Sequence, residues 1–127
     1  LHLYTLLCYV YSMNQITKKW LVQIKKGYLD LCILSLIANK KQAYGFEIIQ
    51  ALGKENIELK DGTLYPLLNR MAKEGLLEAK WVIEDQNSKP RKYYTLTSNG
   101  ELSLKEMQEE FGSLFQQYLN IKEKKYV

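Results

Sequence analysis

Apolar and polar residues follow a helical spacing in the first half of this chain. Between residues 16 and 38 the apolar side chains first recur every fourth residue among lysines, and after Gly27 they surround nearly the whole predicted helix. This pattern predicts a helix that is amphipathic at its start and buried at its end. A second, shorter helix is predicted for residues 44–52, with polar segments at 39–42 and 53–60 on either side of it.

The third predicted helix, residues 64–74, has two contrasting faces. Thr63 can serve as its N-cap, which would place Pro66 in the first turn, and Gly75 is its predicted C-terminal stop. The apolar stripe follows helical spacing and consists of Leu64, Leu67, Leu68 and Met71. The opposite, polar face consists of Tyr65, Asn69 and Lys73, with Thr63 and Arg70 beside them.

Such a polar face suits insertion into the major groove of DNA. Amide and guanidinium groups can recognise base edges there, while hydroxyl and ammonium groups reach phosphates. An ordinary amphipathic helix with a solvated face has the same pattern, so this helix alone leaves both interpretations open.

The spacing changes to alternation after the third helix. Residues 77–83 place Leu77, Ala79, Trp81 and Ile83 on one apolar face, which predicts a strand. Turn-forming residues fill 85–90, and residues 91–96 resume a strand pattern. The hairpin would have a basic tip carrying Lys89, Arg91 and Lys92.

This order of elements predicts a winged helix-turn-helix, which is mainly α with a small β-hairpin (α+β). The helix 64–74 would enter the major groove, and the hairpin would be the wing. The basic residues of the wing would then meet backbone phosphate or the neighbouring minor groove. The alternative for them is a solvated turn.

A long last helix is predicted from Ser98 to about Lys122, capped by Thr97 or Ser98 itself. Its apolar residues are spaced 3, 4, 3, 4 and 3 apart, the pattern of a heptad seam. The seam consists of Leu104, Met107, Phe111, Leu114, Tyr118 and Ile121, and Phe115 and Leu119 broaden it. The seam could fold back on its own domain, but its alternation favours a homodimer that also uses residues 16–28, including Trp20.

Composition limits the class of protein more than its partner. The 127 residues fit one domain, or a small domain with an appended element, and 46% hydrophobic and 25% charged residues describe a soluble globular chain. The net charge of +4 is unevenly distributed. Residues 14–26 hold Lys18, Lys19, Lys25 and Lys26 without an acid, whereas residues 101–110 are acidic. One end of the protein could therefore face a polyanion that the other would repel.

Candidate chemistry for catalysis is missing from the sequence. Two cysteines, Cys8 and Cys32, and one histidine, His2, provide neither a metal cluster nor a Cys-His or Ser-His-Asp arrangement. No glycine-rich phosphate loop is present. We therefore expect no enzyme, no metal and no cofactor.

The first 12 residues are apolar and uncharged, but they are too short to span a bilayer and lack the features of a signal peptide. Met13 resembles a native start, so this segment is either non-native or a real extension that packs on a neighbour. The expected organisation is an N-terminal extension at 1–12, a DNA-binding domain at 13–97, and a C-terminal dimerisation helix and tail at 98–127. We expect a cytoplasmic protein.

Four segments together resemble the PadR-like transcriptional regulators. They are KGYLDLCILSLI (26–37), YGFEI (44–48), DGTLYPLLNRMAKEGLL (61–77) and RKYYTLTSNG (91–100). They occur in the order and spacing of that family, and the combination of GTLYPLL with RKYYTLT is specific. The resemblance implies a bacterial, homodimeric repressor whose C-terminal helix dimerises with the N-terminal helix. It also implies an inverted-repeat operator, often near the regulator's own gene or a transporter or detoxification gene.

The same resemblance implies which residues bind DNA, through helix 64–74 and the wing 85–91. The candidates are Thr63, Tyr65, Asn69, Arg70, Lys73, Lys89 and Arg91. Some family members hold flat aromatic drugs between tryptophans of the C-terminal helices, but this helix contains none. An aromatic effector would instead meet Trp20, Phe111 and Phe115, although apolar stripes of this kind are usually core. The alternative function is a winged-helix module that binds protein without sequence-specific DNA binding.

Overall fold

The computed structural model describes residues 12–126, so the predicted extension at 1–12 lies almost wholly outside the described residues. The described helices are α1 (Gln15–Lys40), α2 (Gly45–Lys54), α3 (Asp61–Lys73) and α4 (Ser98–Glu123). The strands are β1 (Ala43–Tyr44), β2 (Leu77–Val82) and β3 (Arg91–Leu96). This order confirms the predicted winged helix-turn-helix with a long C-terminal helix.

The hydrophobic core lies where the first three helices meet the sheet and the start of α4. The side chains that form it are Ile33, Leu34, Ile37, Ala43, Ile48, Leu52, Leu64, Leu68, Met71, Leu77, Tyr94 and Leu104. Burial of each large aliphatic side chain stabilises the fold by roughly 1.5–3 kcal/mol. The apolar stripes predicted for α1, α2 and α3 therefore hold these helices against one another.

The boundaries of α3 differ from the prediction at its start. Lys60, in extended conformation, is the N-cap, and its carbonyl oxygen accepts the N–H groups of Thr63 and Leu64, each at 2.9 Å. Thr63 is therefore inside the first turn, and Pro66 is the sixth residue of the helix. The proline removes the N–H that would have bonded to the carbonyl of Gly62.

The end of α3 follows the prediction. Gly75 adopts a φ of 81°, and the N–H of Leu76 reaches the carbonyl oxygen of Met71 at 2.9 Å. The N–H of Gly75 meanwhile bonds to the carbonyl of Ala72. These are the two hydrogen bonds of a Schellman motif, in which a glycine avoids the strain of a left-handed residue.

The sheet is antiparallel with the strand order β1-β3-β2. The short β1, which escapes prediction because it has only two residues, pairs with the central strand β3. The prediction of an apolar face for β2 is wrong beyond Leu77, because the side chains of Trp81 and Ile83 are 65% and 64% exposed to solvent. β2 is an edge strand, and only its first residue reaches the core.

Thr97 caps α4, as predicted, and joins it to the end of α3. Its hydroxyl oxygen accepts the N–H of Gly100 at 2.9 Å and donates to the carbonyl of Gly75 at 2.5 Å. Gly100 is buried so tightly that a Cβ there would collide with the carbonyl oxygen of Leu76. The first turns of α4 are therefore fixed to the winged-helix unit.

The seam of α4 divides into two parts. Leu104 is buried in the core of its own chain, so it is removed from the predicted dimer interface, and Met107 packs against the same core. The later seam residues are largely exposed: Phe111, Leu114, Tyr118 and Ile121. The first turns of α4 therefore pack on the core, and Phe111 also contacts Tyr28 of α1, whereas the side chains further along the seam are more exposed.

Candidate nucleic-acid interface

The outer face of α3 is set by the three residues that it buries. Leu64, Leu68 and Met71 point into the core, and the helical repeat therefore directs a different set of residues to solvent. That set is Gly62, Pro66, Asn69 and Lys73, all of them exposed. Asn69 and Lys73 stand where the sequence predicted them, whereas Tyr65, Thr63 and Arg70 lie on the flanks of the helix.

Tyr65 lies on the flank that faces α2. A Cβ at Gly45, the first residue of α2, would be 2.5 Å from the Tyr65 hydroxyl oxygen. The phenol therefore rests directly on the Gly45 backbone, although its side chain remains partly exposed. This contact fixes the approach of the two helices in the helix-turn-helix.

Arg70 lies on the opposite flank, toward α1. Its Nη2 donates to Oδ1 of Asp30 at 2.6 Å, and its Nη1 donates to the carboxylate of Glu74 at 3.1 and 3.3 Å. The hydrogen bond to Asp30, followed by that to Glu74, raises the pKa of Arg70. The guanidinium is thus directed to two carboxylates on the flank of α3, and its predicted contact with a base stays a prediction.

Thr63 also lies on the α1 side. It lines a shallow groove between α1 and α3 together with Leu67, Arg70, Lys25 and Lys26. Its side chain is exposed in the first turn of α3, beside the N–H groups of the helix start. The positive end of a helix dipole adds to any attraction for phosphate there.

The wing residue Arg91 is held by aromatic and acidic neighbours. Its guanidinium lies 4.7 Å from the centre of the Tyr44 ring and donates to Glu84 at 3.3 Å. The Tyr93 hydroxyl donates to the same carboxylate at 2.5 Å, which raises the pKa of Tyr93. The pKa of Arg91 is raised as well, chiefly by Tyr44. Arg91 is therefore oriented before any ligand arrives.

The tip of the wing is a hydrogen-bonded turn. The hydroxyl of Ser88 accepts the N–H of Asp85 at 3.0 Å and donates to the carbonyl of the same residue at 2.9 Å. Lys89 follows this turn and is exposed. The predicted basic tip is therefore on the surface, where an ammonium group can reach a phosphate.

A cleft of about 460 Å³ separates α3 from the wing. Its aromatic and polar lining brings together Tyr44, Phe46, Tyr65, Asn69, Trp81, Arg91 and Lys92. Sequence reasoning missed Phe46 and Trp81. Trp81 pairs with Lys92 across the hairpin, and the Lys92 ammonium nitrogen lies 5.7 Å from the centre of the indole ring. The pairing of the two predicted strands is therefore the sequence signal that could have placed Trp81 beside the basic residues of the wing.

A second surface is apolar and lies away from the wing. Tyr28 of α1 and Phe111 of α4 stand with ring centres 5.9 Å apart at a groove that Ile24 and Leu114 also line. Of the three residues predicted for an effector, only Phe111 is in this groove. Trp20 and Phe115 are exposed and do not line this groove, so their part in an effector site stays a prediction.

Residues 12–126 contain neither a metal site nor a membrane-spanning helix. Within this range, no group of three or more histidine, cysteine or acidic residues is arranged to hold a metal ion. None of the helices described there has the length and apolar character that crossing a membrane requires.

Comparisons with known proteins agree on one family. The model of the transcriptional regulator PadR-like family matches residues 33–106. An uncharacterised protein of Lysinibacillus sphaericus is 35% identical over 94 residues, which cover 72% of this chain and 84% of that protein.

Solved structures give the same result. A PadR-like transcription factor from Bacteroides fragilis is 39% identical with a TM-score of 0.70, over 81% of this chain and 98% of that one. A PadR family transcriptional regulator from Eggerthella lenta is 30% identical with a TM-score of 0.74, over 87% and 95% of the two chains. A PadR-like transcriptional regulator from Bacillus cereus is 33% identical with a TM-score of 0.70, over 81% and 99%.

Proposed function

Because the chain belongs to the PadR-like family of transcriptional regulators, we propose that it is a homodimeric repressor that binds an inverted-repeat operator. A DNA-binding regulator, not an enzyme, is what this membership establishes. The observation that carries the proposal of operator binding is the exposed outer face of α3, which lies beside a wing whose Arg91 is held by its neighbours. A dimer bound across a promoter would block RNA polymerase by occupying the same DNA.

Asn69 is the proposed base-reading residue. It is exposed at the centre of the outer face of α3 and also lines the cleft toward the wing. A carboxamide can make two hydrogen bonds to the N6 and N7 positions of adenine in the major groove. Asn69 therefore has both the position and the chemistry to distinguish bases.

The cationic residues of the interface are proposed to bind the DNA backbone. Lys73 and Lys89 are exposed ammonium groups, and the Thr63 hydroxyl stands beside the start of α3. Arg91, whose guanidinium lies over the Tyr44 ring, is proposed to reach phosphate or the minor groove from the wing. Such contacts fix the register of the protein but carry no sequence information directly.

Tyr65 and Arg70 are assigned positioning roles. Tyr65 sets the packing of α3 on α2 through Gly45, and Arg70 joins α3 to α1 through Asp30. Both would affect DNA binding by moving Asn69 and the rest of the outer face. Neither needs to touch a base.

A homodimer is proposed because much of the apolar surface of α4 remains exposed in the single chain. Phe111, Leu114, Tyr118 and Ile121 remain between 46% and 63% exposed, and Trp20 of α1 is exposed as well. Contiguous apolar surface of this kind marks an interaction site. A second copy fits best, since a heptad seam is self-complementary about a two-fold axis.

An aromatic effector, where one acts on this regulator, is proposed to bind at the groove between α1 and α4. The groove is lined by Tyr28, Phe111 and Leu114, and it adjoins the proposed dimer surface. Binding there would change the packing of α4 and hence the distance between the two recognition helices. That distance determines which half-site spacing the dimer can bind.

The test is a selection of bound sequences from random duplexes with the full-length protein. The repressor proposal predicts an enriched inverted repeat whose half-sites lie one helical turn, about 34–36 Å, or a multiple of it apart. A protein that is a dimer in solution but enriches no sequence would contradict the proposal. Recovery of a stable protein partner together with no duplex preference would support the protein-interaction module instead.

A further inference from the structure

The first half of α1 has two faces of opposite character. The helical repeat places Ile16, Trp20, Ile24 and Leu31 on the side that faces α4. It places Lys18, Lys19, Lys25 and Lys26 on the other side, around Val22 and Leu29. We call this second set the lysine face. The proposed dimer surface uses the apolar side and leaves the lysine face without a role.

The lysine face is fixed beside the recognition helix. Asp30 lies one helical turn after Lys26, and its carboxylate accepts the 2.6 Å hydrogen bond from Arg70 of α3. Lys25 and Lys26 consequently share the groove between the two helices with Thr63, which is in the first turn of α3. The lysine face is thus adjacent to the end of α3 that approaches DNA in helix-turn-helix proteins.

The charges of the lysine face are not neutralised within the described part of the chain. The ion pairs described there involve Lys40, Arg70 and Arg91, and none involves a member of the lysine face. Lys26 donates to the neutral amide of Gln23 at 3.2 Å. Asp30, the acid closest to this face along the helix, is already paired with Arg70. Concentrated positive charge therefore remains available to an anionic partner.

The lysine face and the wing lie on opposite flanks of α3. The wing adjoins the flank that carries Tyr65 and Asn69, whereas α1 adjoins the flank that carries Thr63 and Arg70. A helix in the major groove has a phosphate backbone on each side, because the groove is about 12 Å wide. One backbone would meet the wing, and the other would meet the lysine face.

We propose that the lysine face of α1 binds the phosphate backbone on the side of the major groove away from the wing. This inference rests on the proposed DNA binding through α3 and extends it to a helix outside the helix-turn-helix. Lys25 and Lys26 contact the backbone beside the half-site. Lys18 and Lys19, about 10 Å further along the helix axis, extend the contact to flanking DNA.

Such contacts give affinity without base preference. Each phosphate neutralised by a lysine releases condensed counterions, so each contact makes the negative slope of log affinity against log salt steeper by about 0.9. Loss of both Lys25 and Lys26 should therefore lower that slope by about 1.8. Affinity for the operator and for unrelated duplexes should fall in parallel.

The experiment measures binding of full-length protein to the selected operator and to a random-sequence duplex over a range of sodium chloride concentrations. The variant Lys25→Gln/Lys26→Gln is compared with Lys105→Gln/Lys122→Gln, which removes the same net charge from exposed positions on α4. A purely long-range field would lower affinity equally in both. A local contact lowers the salt slope only in the α1 variant.

Thermal unfolding and light scattering accompany the titrations, so that a change in folding or oligomeric state is recognised. A reduced slope in the α1 variant with an unchanged slope in the α4 variant supports the inference. Equal slopes in the wild type and the α1 variant overturn it while leaving the repressor proposal intact. Wild-type protein that shows no salt-dependent binding to either duplex overturns both.

Discussion

Arg70 of the recognition helix donates a 2.6 Å hydrogen bond to Asp30 of α1, a residue 40 positions earlier in the chain. The same guanidinium reaches Glu74 one turn further along α3. An arginine that the sequence places among the candidate base readers therefore joins two helices. The consequence is that the polar surfaces of α1 and α3 are held in a fixed relation to each other.

Asp30→Ala tests this relation directly. It should lower stability by no more than about 1 kcal/mol, because Arg70 is partly exposed and retains Glu74. A double-mutant cycle with Arg70→Gln, followed by denaturant unfolding, should give a coupling free energy of about 0.5 kcal/mol or more. Operator affinity should fall in both single variants while the preferred bases stay the same. If Arg70→Gln alone relaxes the preference at one base pair, Arg70 reads that base after all.

Gly45→Ala should disturb the helix-turn-helix by displacing Tyr65. The added Cβ would be 2.5 Å from the hydroxyl oxygen and 2.8 Å from the adjoining ring carbon, so the partly exposed ring must move aside, and we expect this to cost about 1 kcal/mol. Unfolding experiments check this value. Gly53→Ala, in the same helix but with nothing within 4 Å of its Cβ, should instead stabilise by about 0.5–1 kcal/mol.

Removal of the Tyr65 side chain supplies the second half of that test. Tyr65→Ala alone should be destabilising, because the contacts of the phenol are lost. When Gly45→Ala is added to the Tyr65→Ala variant, it should cause no further destabilisation, because the colliding atoms are gone. Equal costs of Gly45→Ala with and without the tyrosine would show that the contact does not determine the packing of these helices.

The ends of most helices and strands could be predicted from the sequence, because they are determined by residues that are close together in the chain. The glycine stop at Gly75 and the cap at Thr97 are examples, since each is a feature of one helix end. Capping of α3 by Lys60 was missed, because its backbone rather than its side chain accepts the first hydrogen bonds. A lysine has no cap signature in the sequence.

The candidate site was harder to predict because its geometry depends on partners distant in sequence. Nothing near Arg70 in the chain indicates Asp30, and nothing near Tyr65 indicates Gly45. The exposed position of Trp81 follows from the edge location of β2, which only the complete sheet defines. Residue types thus identified the recognition helix, while long-range contacts decided which of its side chains face outward.

Asn69→Ala and Lys73→Gln should separate base recognition from backbone binding. If Asn69 contacts a base edge, its loss should cost about 1–3 kcal/mol on the operator and relax preference at one base pair. Lys73→Gln should weaken binding to all duplexes alike and make the slope of log affinity against log salt shallower by about 0.9. Binding to a set of single-base operator variants measures both effects. Asn39→Ala, at an exposed position in the last turn of α1, is the matched control and should change neither.

Leu114→Glu should disrupt the proposed homodimer without unfolding the chain. Leu114 is 54% exposed on the apolar side of α4, so a carboxylate there is solvated in the monomer but would be buried and unpaired in a dimer. Sedimentation or light scattering should then report a monomer. Because a monomer binds one half-site at a time, affinity for the inverted repeat should fall far more than affinity for an isolated half-site.

Leu102→Glu is the control for that substitution. Leu102 is similarly exposed on α4 but stands off the heptad seam, so its variant should remain a dimer with full operator affinity. A dimer that survives Leu114→Glu but is lost in Leu102→Glu would move the interface to the other side of α4. The apolar side of α1, with Trp20 and Ile24, would then be excluded from the same interface, because it faces the seam rather than Leu102.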